Sequence, residues 1–388
     1  MGAVLLIANY RLDGQHSMAR SAELLESGLR SRGIDVEVLR PKPFFGLIAK
    51  GNSRKFLSYV DKYLLFPFQL MMRARRCRLV HIVDHSNAVY LFWLRRTKNI
   101  VTCNDLLAVR SALGEIPEHR TGFTGRLLQK WILVGLGRAD HVACISDATK
   151  LDVLRLTTKS EADVSRIYLG LDGAFETELK QRLMEPLTDS CNNVESQPSS
   201  SPTSPAPATA NDFGEAVRPY IVHVGGDTWY KNRGGVLSIY REVRRRLGDG
   251  APNLVIVGPP PNAAEAGVQF FQNVPNSKLV ELYRNAELLL FPSLYEGFGW
   301  PVIEANACGC RAIVSSAPSL IEAGGSAASV IVDPRDILAG ADQVIRILYE
   351  GSADKNRRVK AGYRNASRFS SQEMITNYLV RYASIAPE

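Results

Sequence analysis

Apolar positions along the chain fall into two rhythms that alternate. Short continuous runs, VLLIA (4–8), DVEVL (35–39), LVHIVD (79–84), NIVTC (99–103) and HVACIS (141–146), have the length and branching of buried strands. Between the first two, SMARSAELLESGLRSRG (17–33) carries apolar residues at helical spacing and stops at Gly33, a helix with a glycine end. The second half repeats the pattern: YIVHVG (220–225), NLVIVG (253–258), ELLLFP (287–292) and RAIVSS (311–316) read as strands, with VLSIYREVRRRLG as a helix after the first. Strands apolar on both faces and alternating with helices predict parallel sheets covered on each side, so the fold class is α/β.

One stretch breaks the rhythm. LTDSCNNVESQPSSSPTSPAPATANDFGE (187–215) is rich in Ser, Pro, Thr, Ala and Asn and has almost no large apolar residue, the composition of a linker that cannot bury enough surface to offset ordering. It divides the 388 residues into two Rossmann-like domains: 1–180, a linker over 181–216, and 217–388 with an amphipathic helix at 369–385. That last helix has a face for either domain.

Composition adds three points. Apolar residues make up 45% and charged residues 22%, and no apolar run reaches the length of a membrane span, so a soluble globular protein is expected. The opening MGAVLLIANYRLDG lacks a basic leader and reads as a first strand, not a signal peptide. The six cysteines show no paired spacing, which points to reduced thiols and a cytoplasmic protein. Charge is uneven: residues 1–172 hold 26 Lys and Arg against 16 Asp and Glu, and the remainder is slightly acidic. A solvated basic face and a face for anionic lipid or substrate both fit this asymmetry.

Ligands of open parallel sheets bind at the carboxyl ends of strands. In YIVHVGGDTWYKNRGG, Gly225 and Gly226 follow a strand, and Lys231, Asn232 and Arg233 precede a helix. Glycines let a backbone approach a ligand, and cations at a helix amino terminus favour phosphate. In FPSLYEGFGWPVIEANACG, Pro301 suits a first helical turn, Glu296 sits on the loop, and Glu304 is expected in that turn, facing the same crevice. Gly297, Phe298 and Gly299 offer backbone amides, and the two carboxylates suit sugar hydroxyls and a ribose diol. A loop charge and a dipole-favoured helix acid would explain each glutamate alone, but not the pair with the glycine loop.

Those residues carry a resemblance. The stretch 296–304 is similar to the E-x7-E signature of retaining glycosyltransferases of family 4, in the glycogen-synthase-like GT-B superfamily, and AELLLFPSLYEGFGWPVIEANACG resembles that family's donor segment almost throughout. VGGDTWYKNR, RIYLGLDGAF (166–175) and HVACISDAT resemble further family segments, so the likeness spans the chain except 187–215. It implies a GT-B fold whose two sheets face across a cleft, a nucleotide-sugar donor as substrate, no cofactor, no metal, and retention at the anomeric carbon. By position, Glu304 would hold the ribose, Glu296 the donor sugar, Phe298 and Gly299 sugar hydroxyls, and Lys231, with Arg233, the leaving diphosphate. Gly226 stands where the family often has an arginine. YRLDGQHSMAR (10–20) resembles the family's glycine loop near the donor phosphates, with Gly14, Ser17 and Met18 as candidates. An ordinary strand-to-helix turn capped by Ser17 fits equally.

There is one departure. VTCNDLLAVR resembles the strand that many members follow with His-Asp, and here Asn104 takes the histidine's place. Asparagine exchanges hydrogen bonds but carries no charge. His85, at the end of the preceding strand, is a neighbouring substitute. The stretch KFLSYVDKYLLFPFQLMMRARRCR (55–78) reads as a buried helix with a basic end, or as a membrane-facing patch beside a lipid-linked acceptor. No motif points to nucleic acid. The expected function is sugar transfer to a saccharide or lipid-linked acceptor in polysaccharide or glycolipid synthesis, in the cytoplasm, with peripheral contact at the inner face of the membrane through the basic first domain as an open alternative. Two alternatives stand: another GT-B enzyme, an epimerase or a phosphorylase, and a catalytically impaired nucleotide-sugar-binding partner subunit.

Overall fold

The computed structural model describes residues 3–48, 53–94, 97–184, 219–261 and 265–387. They form two compact units, one of residues 1–172, 296–298 and 369–388, the other of 173–295 and 299–368. Each is built on a six-stranded parallel sheet.

In the first unit the strands are β1 (Val4–Ile7), β2 (Val36–Leu39), β3 (Leu79–Ile82), β4 (Asn99–Cys103), β5 (His141–Cys144) and β6 (Val164–Arg166), in the order β2-β1-β3-β4-β5-β6. β1 is paired on both sides, Val4 lying opposite Val36 and Leu79. Its four residues are all buried, because helices cover both faces of the sheet. The chain passes from β1 out to β2 and then crosses to β3 on the other side. The order therefore reverses between β1 and β3, and loops after those strands diverge to leave a crevice.

The second unit has β7 (Tyr220–Val224), β8 (Asn253–Val257), β9 (Val268–Phe271), β10 (Leu288–Phe291), β11 (Ala312–Ser315) and β12 (Ser329–Ile331), ordered β12-β11-β10-β7-β8-β9. Its reversal lies between β7 and β10, which pair through Leu288 and Ile221.

Nine of the twelve strands coincide with runs expected from sequence. The other three, β6, β9 and β12, are all edge strands. Two have only three residues, and β9 is mostly half-buried, so neither length nor a continuous apolar run marks them.

Two boundaries differ from expectation. The helix Gly173–Met184 belongs to the second unit, so residues 181–184 end a helix, and the rest of the expected linker lies outside the described residues. Glu178 on that helix is buried and accepts from Arg284 and Arg182, and the two guanidiniums outweigh the burial that would raise its pKa, holding it below the usual carboxylate range. The closing helix, Ser371–Ile385, belongs to the first unit and not with 217–388. Its buried face of Met374, Ile375, Tyr378 and Tyr382 sets the phenols against β3 and β4: His81 Nδ1 lies 2.6 Å from the Tyr382 hydroxyl, His81 Nε2 lies 2.7 Å from Thr102 Oγ1, and Thr102 lies 2.8 Å from the Tyr378 hydroxyl. Two glycines permit this seating. A Cβ at Gly170 would stand 2.4 Å from the Ser371 Cα, and one at Gly28 2.4 Å from Ile375.

Candidate functional site

The second unit gathers its expected site residues at its own reversal of strand order. Gly225 and Gly226 leave β7, a 3-10 turn covers Trp229–Lys231, and the helix Arg233–Leu247 follows. Asn232 takes a left-handed conformation, φ 54°, at the junction. Its Nδ2 donates to the carbonyls of Pro292 and Pro334, each at 2.9 Å, and Leu294 N donates to Tyr230 O at 2.7 Å. The loop after β7 is thereby tied to the loop after β10, and Lys231 is carried over the Phe291 ring at 5.3 Å. Arg233 is buried, 3.6 Å from Asp227, bonded to the Pro259 carbonyl and set over the Phe270 ring. Gly258, at the end of β8, is needed where it stands: a Cβ there would lie 2.2 Å from Gly225 O.

His223 lies beneath this loop. Its Nδ1 donates to Leu290 O at 2.9 Å, and burial, with the charges of Lys231 and Arg233, pushes its pKa down to about 4 despite that bond. The ring is neutral at pH 7, and adds no charge beside the lysine.

The segment after β10 places the two glutamates differently from expectation. Gly299, φ 124°, precedes the helix Trp300–Ala307, with Pro301 in the first turn as expected. Glu304 is not in that turn. It is one turn further on, buried, and accepts from the Tyr283 hydroxyl at 3.3 Å. The cause is the register: Trp300 opens the helix, so the fifth helical residue points inward. Burial and the Glu304 charge both push the Tyr283 phenol up, which keeps it a proton donor. Glu296 is half-buried and groups with the first unit, as do Gly297 and Phe298.

The first unit has a polar cluster at its reversal, between the ends of β1 and β3. Asp84 is its centre. Asn9 Nδ2 donates to Asp84 Oδ2 at 2.5 Å, Ser86 Oγ donates at 2.6 Å, and His85 Nδ1 pairs with Oδ1 at 3.2 Å. Burial alone would raise the Asp84 pKa, but the bond and charge of His85 with the Ser86 and Asn9 bonds outweigh it, and the carboxylate sits well below its ordinary range. Conversely, burial would lower His85, and Asp84 and Asp105 raise it. Asn104 is buried at the end of β4 and reaches the same Asp84 oxygen, and Val83 O, at 3.4 Å. His85 and Asn104 thus converge on one carboxylate. Gly297 packs here too: its carbonyl accepts from Ser146 Oγ at 2.8 Å, and a Cβ would stand 2.1 Å from Asn104 O. Gly14, φ 65°, is exposed at the end of a 3-10 turn. Ser17 is exposed and does not cap its helix, which begins at His16 after Gln15, because the chain enters the helix one residue earlier than a Ser17 cap requires.

Sequence reasoning missed Asp84, Asn9, Gly258 and Tyr283, and named Asn232 in its motif without the bonds that it makes. Asp84 carried a signal, an acid closing an apolar strand beside a histidine. The others become visible only once strand order is known. Among the described residues no three His, Cys, Asp or Glu side chains converge as metal ligands.

Comparison with known proteins joins these observations. Residues 212–366 match the family described as Glycosyl transferases group 1, and residues 18–175 match Glycosyltransferase Family 4. Over 118 residues the chain is 31% identical to the O-antigen chain mannosyltransferase B of Escherichia coli, covering 30% of each protein. Over 171 residues it is 25% identical to the N,N'-diacetylbacillosaminyl-diphospho-undecaprenol alpha-1,3-N-acetylgalactosaminyltransferase of Campylobacter jejuni, covering 42% of this chain and 44% of that one. The matches thus span less than half of these relatives' length. Among solved structures, sucrose-phosphate synthase from Thermosynechococcus elongatus superposes with TM-score 0.69 at 17% identity, covering 99% of both chains. Anabaena HepE, solved with UDP and glucose, does so with TM-score 0.65 at 14% identity, covering 99% of this chain and 100% of that one. The fold is GT-B, and the chain belongs to the family-4-like glycosyltransferases.

Proposed function

We propose that the protein transfers a sugar, with retention at the anomeric carbon, from a nucleotide-sugar donor to a saccharide or lipid-linked acceptor in glycan synthesis, acting peripherally at the cytoplasmic face of a membrane. The observation that carries this reading is the second unit's crevice, where Lys231 and the glycine backbone after β7 meet the loop and helix after β10. A leaving nucleoside diphosphate gains charge as the glycosidic bond breaks, and a fixed cation beside helix amino termini stabilises that charge selectively. In this reading Lys231 meets the diphosphate, with Arg233 behind it, and no metal is required. Glu304, fixed by Tyr283, accepts from the ribose diol. Glu296 contacts the donor sugar, and Phe298 and Gly299 offer backbone to its hydroxyls. The names of the relatives support the acceptor class.

The test is nucleoside-diphosphate release from a panel of UDP-, GDP- and ADP-sugars with a polyprenyl-diphosphate saccharide as acceptor. One donor is expected to react, to be insensitive to EDTA, and to give a product of unchanged anomeric configuration by NMR. Lys231→Ala should lower kcat about a hundredfold or more, the scale of losing one preorganised charge-stabilising donor. A variant within threefold of the parent would sink the assigned role.

Asn104 favours a second reading, a donor-binding partner subunit of low activity. Its Oδ1 is buried with no hydrogen-bond partner among the described residues, and its Nδ2 bonds are long. Release that appears only in Asn104→His would select that reading. Release that is lost in Asn104→Ala would reject it.

A further inference from the structure

The segment between β2 and β3 is unlike the rest of the molecule in two independent ways. Residues 40–78 hold ten of the chain's Lys and Arg and a single acid, Asp61, so the net charge of these 39 residues exceeds the +8 of the whole protein. The same segment presents large apolar side chains to solvent: Leu47 is 66% exposed, Ile48 79%, Leu64 59%, Phe68 62% and Met72 63%. Scattered apolar exposure is ordinary, but a contiguous group beside cations is not.

The group is held in shape. Ser53–Val60, a π-helical turn at Asp61–Leu65 and Phe66–Ala74 form one helical run. Asp61 is buried within it. Its carboxylate accepts from Phe45 N at 3.0 Å, Gly46 N at 2.9 Å and the Tyr10 hydroxyl at 2.7 Å. The only acid of the segment is therefore spent on fastening the short helix Phe45–Ile48 to the long run; acids from outside pair with Lys62 (Asp13, 3.1 Å) and Arg73 (Glu37, 3.3 Å), and Lys42, Arg75 and Arg76 are exposed. Leu64, Phe68 and Met72 recur at four-residue spacing, which puts them on one helix face. A cleft of about 460 Å³ adjoins the segment, lined by Arg11, Arg40, Lys42 and Gln69, with Glu26 as its one acid. Arg30 already pairs with Glu26 at 3.1 Å. The cleft thus offers three cations to an anion beside an apolar surface.

We propose that residues 40–48 and 56–78 form a monotopic docking surface for an anionic bilayer, with the apolar side chains entering the acyl boundary and the cleft taking a lipid headgroup phosphate. This deepens the peripheral location proposed above and rests on it for its role in reaching a lipid-linked acceptor. A surface that combines partial apolar burial with many cations binds anionic membranes through both and loses the electrostatic part in salt. A soluble anionic partner would leave the apolar group in water, and a second copy of this chain would set like charges face to face.

The experiment is cosedimentation of the full chain with phosphatidylcholine vesicles, alone or mixed with phosphatidylglycerol, at low and high salt. Donor hydrolysis in detergent is measured on the same samples. Binding is expected on the phosphatidylglycerol vesicles, weaker in high salt and weaker still on phosphatidylcholine. Leu64→Ser/Phe68→Ser/Met72→Ser should lose at least tenfold in vesicle binding. Arg11→Ser/Arg40→Ser should lose the preference for phosphatidylglycerol while keeping residual binding. Thermal midpoints close to the parent's would show that both variants remain folded, since the substituted apolar side chains are exposed.

Absence of binding to anionic vesicles would overturn the proposal, as would a triple-serine variant that binds like the parent. So would self-association by sedimentation velocity that the same variant abolishes, or binding of a duplex oligonucleotide without binding of vesicles. Inorganic phosphate that displaces the protein from vesicles would reassign the cleft to free phosphate. Donor hydrolysis without vesicle binding overturns this inference and leaves the proposed function standing, and vesicle binding without hydrolysis does the reverse.

Discussion

Replacing His81 by leucine tests the attachment of the C-terminal helix to the first sheet. The imidazole is buried, and burial pushes its pKa down to about 3, so it is neutral at pH 7, with one nitrogen donating and the other accepting. Both nitrogens are used, one on Tyr382 and one on Thr102. Leucine removes both bonds at once. Thr102 retains the Tyr378 hydroxyl at 2.8 Å, so its loss is one ordinary hydrogen bond, about 1 kcal/mol. The Tyr382 hydroxyl loses its His81 partner in a buried setting, which costs about 1–3 kcal/mol. Together these losses come to roughly 2–4 kcal/mol, or about thirty- to a thousandfold in a local opening equilibrium, which the apolar surface of leucine trims a little. Hydrogen exchange of the amides over 371–385 reads that opening directly. Faster exchange by that factor is expected, with a smaller change over 233–247 in the second unit. Adding Tyr382→Phe to the leucine variant removes the stranded hydroxyl and should slow exchange again, because coupled neighbours do not add. Unchanged protection in the single variant would refute the account, and so would a double variant that exchanges faster still.

Two further outcomes follow from buried groups in the second unit. His223 is held at about 4 against an ordinary imidazole near 6.5. Between those values the unfolded chain binds the extra proton, so stability falls as pH drops from about 6.5 to 4, by on the order of 3 kcal/mol from this residue. Urea midpoints measured across that window should fall, and His223→Gln should flatten the dependence. A slope unchanged in the variant would reject the assignment. Gly258→Ala drives a methyl to 2.2 Å from Gly225 O, where backbone must move, so it should cost about 1–3 kcal/mol and weaken nucleotide-sugar binding by calorimetry. Parent-like affinity would show that the Gly225 loop is not part of the donor site.

What the sequence revealed, and what it hid, follows from the range of each interaction. β1, β3, β4, β5, β7 and β10 are interior strands whose burial on both faces shows as an unbroken apolar run. Three of the four edge strands, β6, β9 and β12, leave a weaker mark because they are three residues long or mostly half-buried, whereas the fourth, β2, showed in DVEVL. The placement of Lys231 and the glycines around it was legible because a glycine turn followed by cations at a helix start is a local pattern. Glu304 was legible as a residue and misplaced in register, since the helix opens at Trp300 and puts it in the second turn, and in a helix buried from Val302 to Ala307 its side chain meets Tyr283. Asn232 bonds two carbonyls 60 and 102 residues away, and no local pattern announces such a contact. The closing helix was amphipathic in sequence, but the choice of sheet depended on His81 and Thr102, nearly three hundred residues earlier.

The substitution at residue 104 is best weighed through Asp84. That carboxylate already receives short bonds from Asn9 and Ser86 and the charge of His85. Asn104 adds only a 3.4 Å contact and keeps a buried oxygen that no protein group meets among the described residues. Leaving an acceptor buried and unmet costs about 1–3 kcal/mol, so selection for stability alone would favour a smaller or apolar residue. A histidine at 104 would bring a second ring to a carboxylate that His85 already occupies, and protonating both would leave one positive charge unbalanced at the crevice. Asparagine avoids that conflict and presents an acceptor and two weakly held donors. His85 is paired with Asp84 at 3.2 Å, and the pairing raises the imidazole and lowers the carboxylate. On the proposed function, the work that the resemblance assigns to a histidine at 104 would be divided here, with proton exchange expected at His85 and hydrogen bonding at Asn104. In that division, Asn104→Ala disturbs ligand affinity most, whereas His85→Gln changes the pH dependence of turnover.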